Sequence, residues 1–498
     1  MKKAAIFRTG VAAIGLSLLA ESALPGATVF HKFVALGDSL PAGHESNCTV
    51  ERFQVRGASA VIARQLGIAD FQQALIAEAP PSNPLTGYPC LGAVVVNGGI
   101  SVGIVSQEGA QENALLPRPY DNLGFNGGPR MKDFIDLKVS VPGRSDLDNY
   151  AARVLRNVAG SPFEGTNAVE QAASLHPDLV LYWVGNNDIL AAVSTGVALD
   201  GVTLTPVADF EAKYTEGLTI LMSTGATIVT VTLPDVTSIP IYTTLPRFVL
   251  DPATRQPVIV DGQPVPLLGS RAIAPDCPVA PCPLPDGTLV HTLKAPLLEA
   301  QGIGIPAALG GRAIQGSGDL STALPDGSFT PPAGPLVEGV LLYPDEVAAI
   351  VTRTNELNDR IRSISAANGT VLYDLNAHFQ QVHAEGIEIG GIRLTTAFLQ
   401  GGLFSADGAH PTQIGYAIIA DDIIQGLNAQ THSEIPRPDL SEALFTPNVP
   451  QFGAAAASGV AGFVPSGWIT LLPYCPTADA EPTTPPPHPE RHTRVIDR

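Results

Sequence analysis

The sequence predicts an α/β protein with a mainly parallel sheet covered by helices on both faces. Three observations carry that reading. Four short apolar runs, at 32–36, 179–184, 227–232 and 370–373, have the length and composition of buried strands. Two long stretches, 345–367 and 412–428, repeat their apolar residues at helical spacing. Strand-like and helix-like segments alternate along the chain, as they do when parallel strands are joined through helices.

Each element has its own punctuation. The run at 32–36 (Lys-Phe-Val-Ala-Leu) stops at Gly37, and the run at 179–184 stops at Gly185. Residues 227–232 are β-branched throughout, and 370–373 ends against Asp374. The stretch 345–367 places Val347, Ile350, Val351, Leu357, Ile361 and Ile364 on one face. Pro344 stands at its start, Asp345 and Glu346 fill the first turn where negative charge suits the helix dipole, and Asn368-Gly369 ends it. The stretch 412–428 places Tyr416, Ile419, Ala420, Ile423, Ile424 and Leu427 at i, i+3, i+4, i+7, i+8 and i+11.

Composition excludes several classes. Lys plus Arg is 28 and Asp plus Glu is 47, a net charge of −19, which argues against a nucleic-acid binder with its basic stripe. A hydrophobic fraction of 45% is too high for a wholly disordered chain. The 49 Gly and 45 Pro show no collagen period and mean long loops. They concentrate at 70–130 and 245–340, which read as insertions of hairpins and turns, and in an extension at 431–498. Within that extension, 453–472 is small and apolar and is expected to pack on the domain or stay loose, with a substrate-side or membrane-facing patch as the alternative. The Pro-rich tail 477–498 is expected to be disordered.

The first 27 residues read as a secretory signal. Lys2, Lys3 and Arg8 precede an apolar run at 11–20, with cleavage candidates after Ala20, Ala23 or Ala27. Export is therefore expected, to the periplasm, the medium or the cell surface. No later run reaches the ~18 apolar residues of a spanning helix. Five cysteines suit an oxidising compartment. Cys277 and Cys282 suit a small disulfide loop, Cys48 and Cys90 are candidates for a second bridge, and Cys475 is left odd, although spacing alone does not decide connectivity. The spacings do not make a zinc site.

Three motifs carry chemistry. In the first, a buried strand runs into Gly37-Asp38-Ser39-Leu40. A serine at the C-terminal edge of a parallel strand lies where open α/β sheets place their ligands, and an adjacent helix start offers free N–H groups to an oxyanion. Pro41 stands where a G-x-S-x-G elbow would have its second glycine, so this is a different turn. The second is Phe404-Ser405-Ala406-Asp407-Gly408-Ala409-His410, just before a helix. At this spacing a carboxylate can meet one nitrogen of the imidazole and leave the other for a nucleophile. The third is Gly185-Asn186-Asn187-Asp188, again at a strand end, where Asn187 can offer its amide to an oxyanion. Each motif alone has a plainer reading as a turn or a helix cap.

Together, and in this order, the three resemble the SGNH (or GDSL) hydrolases over about residues 30–430. The resemblance implies a flavodoxin-like three-layer α/β/α sandwich and an esterase or lipase activity. It implies Ser39 as nucleophile, His410 as general base and Asp407 as the group that orients His410. It also implies an oxyanion hole made by Ser39, Asn187 and the backbone of one further glycine. Tyr120-Asp121-Asn122-Leu123-Gly124-Phe125-Asn126-Gly127 matches the family's Asn-x-x-x-x-Gly block and points to Gly127. Asn97-Gly98-Gly99 and Val141-Pro142-Gly143 are rival turns.

Other polar groups read more plainly. His44, five residues after Ser39, is expected in a solvated loop, with a place at the site entrance as the alternative; Asp374 is expected at a strand end, and Asp38 in the nucleophile turn outside the triad. His378 and His383 have no neighbours at metal-ligand spacing. No Gly-rich phosphate loop follows the first strand, so neither cofactor nor metal is expected. Two further readings stay open. One is polysaccharide deacetylation or thioester cleavage on the same triad; the other is a non-catalytic surface or carbohydrate-binding protein.

Overall fold

The computed structural model describes residues 27–446, apart from 82–87, 97–98, 140–141, 144, 252–253, 274, 301 and 312–338. The apolar core of the signal segment, the turn at Asn97-Gly98, Val141, Cys475, 453–472 and 477–498 lie outside the described residues.

Five parallel strands form the central sheet: β1 (Phe33–Gly37), β2 (Asn122–Gly124), β3 (Leu179–Trp183), β4 (Thr227–Val231) and β5 (Val371–Tyr373). Their spatial order is β2-β1-β3-β4-β5. This is the flavodoxin-like doubly wound order, with the direction of winding reversed between β1 and β3. Among the described residues, the helices that pack around this sheet or border its edge include α1 (Ala58–Gln65), α2 (Ala168–Ser174), α3 (Asn187–Thr195), α4 (Val207–Met222), α5 (Pro344–Asn368), α6 (Leu375–Glu385) and α7 (Gln413–Thr431).

Alternation along the strands makes the three layers. Val34, Leu36, Val180 and Tyr182 face one way and pack with α2, α4 and α5 through Ala172, Phe210, Tyr214, Leu357 and Ile361. Phe33, Ala35, Leu179, Leu181 and Trp183 face the other way and pack with α1 and α7 through Ile62, Tyr416, Ile423 and Leu427. A sheet buried on both faces needs near-continuous apolar strands, which is why the runs at 32–36 and 179–184 stood out. The helices at 344–368 and 413–431 match the expected 345–367 and 412–428 to within a few residues. Thr412 is the cap of α7, its hydroxyl accepting from Gly415 N–H.

The first insertion differs from the expectation at one end. Residues 70–130 do contain an antiparallel sheet, with strands Ile76–Ala79, Gly99–Gln111 and Pro89–Val96 in that spatial order. Yet the same stretch also holds β2, the edge strand of the main sheet. β2 is three residues long, too short for any periodicity to show. The second insertion is built from two-residue antiparallel pairs around Val249, Val265, Leu267, Leu284 and Tyr343. Arg271 pins it to the start of α5 through Asp345, 3.0 Å away. Both candidate disulfides form, Cys48–Cys90 and Cys277–Cys282. Among the described residues no helix is long and apolar enough to cross a membrane.

Candidate active site

The site stands where β2, β1 and β3 end side by side. β1 closes on Gly37, which lies so tightly against β3 that an added Cβ would sit 1.9 Å from the Trp183 carbonyl oxygen. Only glycine fits there. Asp38 follows and caps the short helix Ser39–Ala42, one carboxylate oxygen accepting from Leu40 N–H at 3.1 Å. Its other oxygen accepts from the Asn186 amide at 2.8 Å, tying the turn after β1 to the turn after β3. Burial pushes the Asp38 carboxyl up to about 6, against the opposing pull of the Asn186 and Leu40 bonds. On the other side Asn122 of β2 donates to the Pro41 carbonyl at 2.7 Å. The nucleophile turn is thus held from both neighbouring strands.

His410 reaches this turn from the far end of the chain. Its Nδ1 lies 2.9 Å from Asp407 Oδ2 and its Nε2 lies 3.0 Å from Ser39 Oγ. An ionised carboxylate can only accept, so Nδ1–H donates to Asp407 and Nε2 is left to accept the Ser39 proton. Asp407 is buried and takes four more hydrogen bonds: from Asn47 N–H on Oδ2, and from Ala409 N–H, His410 N–H and the Ser405 hydroxyl on Oδ1. Burial works against its charge. The neighbouring His410 and these donors outweigh burial and hold the carboxyl well below the usual carboxylate range. The three residues expected to form a triad are therefore brought into one hydrogen-bonded line.

Gly127 follows β2 and Asn187 follows β3, the two strands that neighbour β1 in the sheet. Gly127 has φ +90°, and an added Cβ would lie 2.7 Å from the Leu147 backbone, so the turn is closed to other residues. A Cβ on Gly128 would point at the Asn187 amide oxygen, 3.9 Å away, so this turn and the Asn187 side chain are neighbours. Asn187 opens α3. Next to it Asp188 is buried and accepts from Met131 N–H at 2.7 Å, which anchors the loop that carries Gly127. Burial pushes the Asp188 carboxyl up to about 7.

Several residues matter that the sequence did not single out. Asn186 and Asp188 are braces of the two turns. His44 corrects the expectation of a solvated loop histidine. It is 3% exposed, its ring meets the His410 ring edge-on at 4.4 Å between centroids, and its Nδ1 lies 2.8 Å from Thr49 Oγ1. Burial and the nearby His410 lower its pKa well below the ordinary histidine value. Asp374 stands at the end of β5, as expected, and there also caps α6 through Ala377 N–H and pairs with Arg362 at 2.9 Å. His378 contacts Tyr373 and Asp422 at the edge of the sheet.

Two cavities lie beside the histidine loop. The larger, about 470 Å³, is walled by Val102 and Ile104 of the first insertion, Val193 of α3, Ile241, Leu293 and Leu297, with Asp407 and His410 in its surface. A narrower slot of about 100 Å³ lies behind the histidine loop, lined by Leu40, Trp183, Phe379, Phe404 and Ile418. Ile239 and Ala409 border both. Comparison with protein-family models and with curated proteins finds no match to this chain.

Proposed function

We propose that this chain is an exported serine hydrolase of the SGNH type that cleaves carboxylic esters through an acyl-serine intermediate. The observation that carries the reading is the hydrogen-bonded line Ser39–His410–Asp407, at 3.0 and 2.9 Å, whose His410 and Asp407 line a largely apolar cavity. Such a line activates a weak nucleophile by giving it a base whose tautomer is fixed from behind.

The steps follow from the groups present. His410 Nε2 takes the Ser39 proton as Oγ attacks the ester carbonyl. Negative charge collects on the carbonyl oxygen, where the N–H groups of Ser39 and Gly127 and the Asn187 amide stabilise it. His410, now protonated, gives its proton to the departing alcohol. Water then enters by the same route in reverse and releases the acid. One oxyanion donor of this kind is worth about 3–4 kcal/mol in the transition state.

The cavity supports a substrate with more than an acetyl group. Its 470 Å³ falls within the ~300–1,000 Å³ of ordinary small-molecule sites, and apolar side chains dominate its wall. A site for polysaccharide acetyl groups has no use for so large an apolar space. The two disulfides and the basic-then-apolar start support export. The test is a panel of p-nitrophenyl esters of rising chain length, with Ser39→Ala as control. Turnover that improves beyond acetyl and vanishes in Ser39→Ala is expected. No turnover on any ester, or equal turnover by Ser39→Ala, removes the reading.

A further inference from the structure

We propose that Zn²⁺ binds between His44, Asp407 and His410 and reversibly switches the site off. One nitrogen from each imidazole and one carboxylate oxygen lie within 4.8 Å of one another. Two imidazoles and a carboxylate are a donor set that zinc accepts, whereas Mg²⁺ and Ca²⁺ want oxygen throughout. Hydrolysis has no evident use for His44, because the line from Ser39 to Asp407 is complete without it.

The geometry also bounds the affinity. Zinc holds nitrogen and oxygen at about 2.0–2.2 Å, which puts tetrahedral donors roughly 3.3 Å apart. Donors spread over as much as 4.8 Å must draw in by side-chain rotation. This is not a preformed cage of the structural kind, so binding in the micromolar range is expected. Two features favour it even so. Thr49 Oγ1 sits 2.8 Å from His44 Nδ1 and orients the ring; the Asn126 amide nitrogen, 3.1 Å from Nδ1 and 3.4 Å from Nε2, must turn aside for Nε2 to coordinate. Such outer partners typically set metal affinity by about 10- to 100-fold. Asp407 and His410 both line the 470 Å³ cavity, which supplies an entry path.

The consequence is inhibition. A zinc ion on His410 takes the lone pair that would accept the Ser39 proton, and a zinc ion on Asp407 removes the group that holds the ring. The inhibitory effect rests on the ester-hydrolase reading, but the binding does not.

The experiment uses the full chain freed of metal with EDTA. Ester hydrolysis is titrated with Zn²⁺, with Mg²⁺ and Ca²⁺ as controls, and Co²⁺ absorption reports coordination without reference to activity. Half-inhibition at micromolar Zn²⁺, reversal by EDTA and a four-coordinate Co²⁺ band are expected. His44→Gln should raise the half-inhibitory concentration roughly a hundredfold, relative to its own uninhibited rate, and lose the Co²⁺ band. Thr49→Val keeps all three ligands and should raise it about tenfold. The chain has ten histidines, so the comparison between variants is decisive rather than stoichiometry. Full wild-type activity at millimolar Zn²⁺, or equal inhibition of wild type and His44→Gln, overturns the proposal. If no ester is hydrolysed at all, a Co²⁺ band identical in wild type and His44→Gln still overturns it, and a band lost only in the variant supports it.

Discussion

Replacing Asp407 by Asn separates the orienting role of the carboxylate from its structural one. Five donors converge on Asp407, two on Oδ2 and three on Oδ1. An asparagine can turn either way. With its NH₂ at the Oδ1 place, the N–H groups of Ala409 and His410 both lose their acceptor, at about 1–3 kcal/mol each. With its NH₂ at the Oδ2 place, only Asn47 N–H is stranded, because His410 can change tautomer and accept at Nδ1. The second arrangement strands one donor instead of two and is favoured. Stability is then expected to fall by only about 1–3 kcal/mol, measured by urea unfolding. Activity is expected to collapse, since Nε2 now carries the proton and cannot take one from Ser39. A wrong tautomer of this kind lowers kcat by about ten-thousandfold. The pH dependence has a definite sign. The folded carboxyl titrates below its unfolded value, so its stabilising contribution is present above about pH 4 and is lost as pH falls below that. The stability gap between wild type and Asp407→Asn should therefore narrow below pH 4. A kcat within tenfold of wild type, or a gap that does not narrow, refutes the role assigned to Asp407.

The other expectations are briefer. Asn187→Ala should lower kcat by about 10²–10³-fold with little change in KM, and an unchanged kcat would remove Asn187 from the oxyanion site. Cys48–Cys90 spans 42 residues and Cys277–Cys282 spans 5, so loss of the first pair to Ser should destabilise by about 4 kcal/mol and loss of the second by about 2. Only the first loss should lower kcat, because Cys48 follows Asn47, whose N–H supports Asp407; equal kinetic effects would contradict this. Asp38 is raised from 3.8 to about 6, so folding must keep its proton between those values, and its ionisation then opposes folding by about 3 kcal/mol. The stability of Asp38→Asn relative to wild type should rise by about that amount from pH 4 to 7 in urea unfolding, whatever constant offset the changed hydrogen bonds add.

What could be read from the sequence was local. β1 and β3 are buried on both faces and had to be apolar runs, and both stop at a glycine that the crowding at the sheet edge demands. Asp407 and His410 are three residues apart, and the hydrogen bonds that set them both lie inside one short turn. The parallel pairing is less local but follows from the alternation of elements, whereas the flavodoxin-like arrangement came only with the resemblance to the SGNH hydrolases. β2 escaped because three residues cannot display a period, and it is recognisable only by its pairing with Ala35 to Gly37. The cavity escaped for a related reason. Its walls come from residues near 47, 103, 192, 241 and 294, and nothing in any one of those segments marks it as facing the others.

His44 shows most clearly what a sequence hides. His44-Glu45-Ser46-Asn47 is a polar run after a glycine, and polarity there reads as exposure. In the fold the first three of these are buried. Their partners explain it: Ser46 N–H donates to Ser405 Oγ at 2.9 Å, Asn47 N–H to Asp407 at 2.8 Å, and the Tyr416 hydroxyl to the His44 carbonyl. All three lie some 360 to 370 residues downstream. The segment is polar because it is the dock for the histidine loop, not because it meets water. Polar docking has a mechanical consequence. Apolar packing would bring the two loops near one another but leave their mutual angle soft. Hydrogen bonds are directional, and a relay of 3.0 and 2.9 Å tolerates misplacement of only about 0.5 Å. A polar segment buried beside the nucleophile is therefore the way this chain fixes Ser39 against His410 across 371 residues of sequence.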